Sequence, residues 1–150
     1  MKSSRSSGHR SDAVIRATAF ENRLIVFAIR ACDAAEELPS SFAGSHVAGQ
    51  LIRAGTAAAP HYAEAQSAES RKDFVHKLKI GVKELREAKV WLKFIEQKGF
   101  PVSTDLNSLL AEADELISIF VKSIQTAQRN QAGTAHTRTP PPHQSQLLDR

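Results

Sequence analysis

Lys72, His76, Lys79, Lys83, Arg86 and Lys93 recur at intervals of four, three, four, three and seven residues. On an α-helix that spacing gathers all six on one face. A positive row of this kind meets phosphates along a nucleic-acid backbone through charge and counterion release, without reading base sequence. Residues 70–98 hold nine cations (Arg71, Lys72, Lys77, Lys79, Lys83, Arg86, Lys89, Lys93, Lys98) and four acids (Asp73, Glu84, Glu87, Glu96), a net of +5. Two other readings of the row stay open. It is a solvated helix face on which Glu84 and Glu87 pair off part of the charge, or it meets an acidic protein partner. The rings on which single-strand binders stack bases are few here, with Trp91 and Phe94 nearby.

Other reactive residues form no comparable set. His46, His61 and His76 lack a second His or Cys three or four residues away, so no metal motif is expected. Cys32 has no neighbouring His to activate it and reads as a structural thiol. Asp73, Glu84, Glu87, Asp114 and Glu115 show no spacing that favours a catalytic pair over surface salt bridges. The glycines are single, so no phosphate-cradling loop is present. The expectation is a protein without catalytic residues, metal or cofactor.

Four helical segments must position the row. Segment one, about Thr18 to Leu38, carries Phe20, Leu24, Phe27, Ala31 and Leu38 on one face and stops before Pro39. Segment two, about Ser45 to Ala65, carries Val47, Leu51, Ala54, Ala58 and Tyr62, with Ser41 or Ser45 as N-cap. Its run from Ala54 to Ala59 has almost no side-chain bulk, so a neighbouring backbone can come close. Pro60 lies inside it and is expected to kink it. Segment three, about Ser70 to Lys98, has a heptad seam of Phe74, Leu78, Gly81, Leu85, Ala88, Leu92 and Ile95. Gly99 and Pro101 stop it. Segment four, about Thr104 to Gln128, has a broad apolar face from Leu106 to Ile124. No period-two strand pattern appears. The fold expected is all-α, an antiparallel up-down-up-down four-helix bundle over residues 18–128.

The flanks are polar. Residues 1–17 carry a net of +3 and residues 129–150 a net of +2, whereas 18–128 sum to −1. Both flanks read as disordered tails, the second holding Pro140 to Pro142. The pI near 9.5 therefore belongs to the tails. The polar start has no apolar core for a secretory signal, no run reaches membrane-span length, and the lone cysteine suits a reducing, cytoplasmic setting. Trp91, Ile80, Phe94 and Val90 cannot all face the interior with the seam, so they are either singly and partly exposed or line a subunit interface.

Gln50 to Gly55 (QLIRAG), Tyr62 to Phe74 (YAEAQSAESRKDF) and His76 to Leu92 (HKLKIGVKELREAKVWL) carry a resemblance spread over about residues 20–125. Glu21 to Arg30 and Leu109 to Ala127 agree with it. The chain resembles the bacterial four helix bundle proteins encoded within intervening sequences of large-subunit ribosomal RNA genes. Many members carry Asn-Ile-Ala-Glu-Gly where this chain reads His61-Tyr62-Ala63-Glu64-Ala65. The resemblance implies a left-handed bundle that assembles as a ring-shaped homopentamer. It also implies kinship with the accessory variability proteins of diversity-generating retroelements, which bind nucleic acid and associate with a reverse transcriptase. On that basis RNA, DNA and a protein such as a reverse transcriptase are the candidate partners. Arg53 and Glu64 are then expected near the helix two–helix three junction, as structural residues or at an oligomer interface, with Tyr62 and Trp91 also at the interface and Lys72, Lys79, Lys83, Arg86 and Lys93 at the nucleic acid.

Overall fold

The computed structural model describes residues 5–135, with side chains from 8 to 133. Four α-helices follow in order: α1 Arg5–Glu36, α2 Phe42–Gln66, α3 Arg71–Lys98 and α4 Leu106–Ala135. Each packs against its neighbours in sequence, and α1 closes against α4. The backbones of the diagonal pairs α1–α3 and α2–α4 do not approach one another, and α2 and α4 touch through the rings of Tyr62 and Phe120. Short connections and this pairing make an antiparallel four-helix bundle, with each helix at a corner.

The caps follow from the sequence. Ser41 is the N-cap of α2, its Oγ accepting the Gly44 N–H at 3.1 Å. Ser70 caps α3 in the same way on Asp73, also at 3.1 Å. Gly99 ends α3 in the left-handed region at φ 74°, where a residue without Cβ is least strained. α2 runs on through Pro60.

The outermost boundaries differ most from expectation. α1 is already helical at Arg5, ahead of Thr18, and α4 is still helical at Ala135, beyond Gln128. Residues 8–16 and 129–133 of the added turns are exposed. Propagating a formed helix costs far less than nucleating one, and Ala13, Ala17 and Ala19 are strong helix formers. Most of the tail expected over residues 1–17 is thus helical. The Pro-containing stretch from 136 onward lies outside the described residues.

The core is aliphatic and alanine-rich, with Phe27 and Phe120 as its largest fully buried side chains. The seam of α3 is buried as expected from Leu78 to Ile95, and Val75 and Val82 join it. Phe74 is half-buried at its edge. Among the described residues the core holds no polar or charged side chain.

The small-residue run of α2 faces α1. Ala31, Ala34 and Ala35 of α1 and Ala54 and Ala58 of α2 are buried. A Cβ added at Gly55 would stand 2.7 Å from Ala31 Cβ, which cannot rotate away. Replacing a helical glycine by a better helix former gains up to about 1 kcal/mol. Here the helices would have to separate, and overpacking costs more. Gly55→Leu is expected to destabilise the fold by about 1–3 kcal/mol, read as a lower denaturant midpoint. An unchanged midpoint would mean that this face is not packed.

Glu37 ties one end of the bundle together. Its carboxylate accepts from the Ser103 N–H, from Ser103 Oγ at 3.0 Å and from Thr104 Oγ1 at 3.0 Å. The backbone donor at Ser103, chiefly, holds its pKa below the ordinary glutamate value. A carboxyl lowered on folding adds stability above its unfolded pKa of about 4.3, and loses it as pH falls through the folded value. Glu37→Gln is therefore expected to lower stability at neutral pH, with the gap to the parent chain closing in acid. A gap that persists unchanged below that window would rule out this linkage.

Candidate nucleic-acid interface

The outward crest of α3 is built by the same heptad that builds the core. Leu78, Leu85 and Leu92 alternate with Gly81, Ala88 and Ile95 on the inner side. Lys72, His76, Lys79, Lys83, Arg86, Val90 and Lys93 keep the same spacing on the opposite side, and all are exposed. At 1.5 Å per residue the row from Lys72 to Lys93 spans about 31 Å.

The tertiary structure sorts the charges of α3 into three groups. Toward α2, Glu84 pairs with Arg53 at 3.2 Å, Glu87 also pairs with Arg53, and Lys77 pairs with Glu64 at 2.9 Å. Toward α4, Lys89 pairs with Asp114. The third group faces solvent. Among the described residues, Lys72, Lys79, Lys83, Arg86 and Lys93 take part in none of the ion pairs. The acids expected to neutralise the row are engaged elsewhere. The Arg53 hydrogen bond holds the Glu87 carboxyl below its ordinary pKa, and Lys77 does the same to Glu64.

Beside the N-terminal half of the row lies a shallow depression of about 280 Å³ lined by Lys72, Val75, His76 and Lys79 of α3 and Gln128 and Gln131 of α4. Its amides could add hydrogen bonds to a ligand resting on the lysines. The spacing of α3 alone did not reveal these two glutamines, because they arrive from another helix.

The residues expected at an oligomer interface fall in different places. Arg53 and Glu64 are half-exposed and make the α2–α3 ion pairs just described. Trp91 is half-buried on the same side. Its Nε1 donates to Glu87 at 3.4 Å, and its ring meets His46 and Phe94 edge-on at 5.9 Å. Tyr62 is a core residue, only 8% exposed, packed edge-on against Phe20 at 4.8 Å and Phe120 at 5.9 Å. The single chain already consumes this side chain, so little of it remains for a subunit contact. The main unpartnered apolar face lies instead on α1, where Val14, Ile15, Ile25, Val26 and Ile29 are exposed opposite the core. Their three- and four-residue and multiple spacing was visible in the sequence but overshadowed by the inner stripe.

The candidate reactive groups stay dispersed. Asp114 pairs with Lys89, and Glu115 with Arg23 at 3.3 Å. Burial pushes the Cys32 thiol pKa up, away from a nucleophilic thiolate. Among the described residues no three His, Cys, Asp or Glu side chains gather to hold a metal ion, and no helix is long and apolar enough to cross a membrane.

The model of the 23S rRNA-intervening sequence proteins matches residues 20–122, most of the bundle. The chain belongs to this family. A similar solved structure is a protein of unknown function from the S23 ribosomal protein family of Bacteroides thetaiotaomicron. It is 24% identical, the match covers 73% of this chain and 97% of that one, and the TM-score is 0.66. That likeness carries the fold. No curated protein matches the chain. In this intervening sequence protein, the crest of α3 carries five exposed cations outside the ion pairs of the described residues.

Proposed function

We propose that this intervening sequence protein is a non-enzymatic, cytoplasmic, homo-oligomeric bundle that binds nucleic acid without sequence preference through the crest of α3. The observation that carries this reading is the row of five exposed cations left without intramolecular acids. Free cations release phosphate counterions on binding, whereas cations already paired gain little. The apolar side chains exposed on one side of α1 support self-association, since an exposed apolar face opposite the core suits an interaction site. The family resemblance supports a homopentamer. Light scattering should give a mass several times that of one chain, and RNA or DNA should bind with an affinity that falls steeply with salt. A monomer that ignores both nucleic acids at low salt would end this reading.

A second reading follows from Val90, which is 60% exposed in the middle of the row. An apolar residue flanked by cations suits an acidic protein partner, a reverse transcriptase among them. Capture of that partner after nuclease treatment, together with no direct nucleic-acid binding, would favour it.

A further inference from the structure

The shape of the crest narrows the class of nucleic acid, given that the row is a nucleic-acid site as proposed above. α3 is a corner helix whose backbone lies against α2 and α4 and diagonally across from α1. Its outer side is therefore a ridge, not a groove. Proteins that hold single strands combine a groove that tracks the backbone with aromatic platforms for successive bases. Along this row the depression is confined to the N-terminal half, shallow and lined by no aromatic side chain. The row's one interruption is the aliphatic Val90. Trp91 is turned to His46 and Glu87, on the α2 side. Phe94, 40% exposed at one end, is flanked by Trp91 at 5.9 Å and Phe100 at 6.5 Å.

What the ridge does offer is a straight line of charge held by a packed helix. A duplex carries one charge per about 1.7 Å of axis, twice the density of one of its strands, and it is stiff over far more than the length of the row. A rigid convex line gains most from a rigid, densely charged surface, and has nothing with which to organise a flexible strand. We infer that the ligand selected by the α3 crest is duplex nucleic acid, held along its phosphates, in preference to single strands.

The test uses the full chain, a labelled DNA duplex about two helical turns long and each of its strands alone, titrated between about 50 and 200 mM salt. The duplex is expected to bind about 10-fold or more tightly than either strand, with a log–log salt slope approaching −4.5 per bound subunit if all five cations engage. A strand that binds as well as the duplex overturns the inference and leaves the nucleic-acid reading standing. Failure of all three probes at the lowest salt overturns the nucleic-acid reading itself. The milder Lys79→Gln, Lys83→Gln variant should flatten the duplex slope by about 2. An unchanged slope would place the duplex elsewhere on the molecule and overturn the inference.

Discussion

Reversing three charges on the crest, Lys79→Glu, Lys83→Glu and Arg86→Glu, is expected to lower nucleic-acid affinity by on the order of 100-fold or more at moderate salt. Each substitution removes a phosphate contact and adds a repulsive charge beside those that remain. The salt slope should fall by about 3, one for each cation lost. Stability should change little, because none of the three side chains takes part in an intramolecular ion pair. That separation makes the result readable: lost binding in a chain with its parent melting temperature cannot be ascribed to unfolding. As a control, Lys89→Glu is expected to do less to binding, because Lys89 already faces Asp114 on α4. Equal affinity of the triple variant and the parent for RNA and DNA, at both low and moderate salt, would remove α3 from the interface.

The largest effect on the fold is expected from Phe120→Ala. Phe120 is 1% exposed and sits where α4 meets α3. Its ring packs edge-on against Phe20 at 5.4 Å and Tyr62 at 5.9 Å, joining three helices. On the α3 side it lies against Gly81, where an added Cβ would come within 2.9 Å of the ring. Backbone and ring are fitted to one another, so the space left by alanine cannot readily close. Such truncations cost about 3–5 kcal/mol, a large share of the 5–15 kcal/mol that holds a typical domain. Chemical denaturation should show the loss directly, and Phe120→Leu should recover part of it. A loss below about 1 kcal/mol would show that the ring does not anchor the core.

The same glycine shows how far the chain can be read without its fold. Gly81 stands in the heptad seam, so its burial was legible from spacing. Its partner was not, since nothing in the order of residues says that Phe120 fills the gap. The caps at Ser70 and Gly99 and the four helices were likewise legible, because caps and amphipathic periods are local. The helical turns before Thr18 and after Gln128 were not, because polar composition conceals how cheaply a formed helix propagates. The resemblance points Tyr62 toward a subunit interface, whereas the core of its own chain takes the side chain.

For the candidate site, the sequence by itself determined that α3 bears a cationic row opposite its apolar seam, since both follow from one heptad period. Only the tertiary structure decided which charges stay free. Glu84, Glu87 and Lys77 are turned to α2 and Lys89 to α4, and that choice depends on which helices flank α3 and at what angle each side chain leaves it. Ion pairs between helices link residues far apart in the chain, so no spacing within one helix can reveal them.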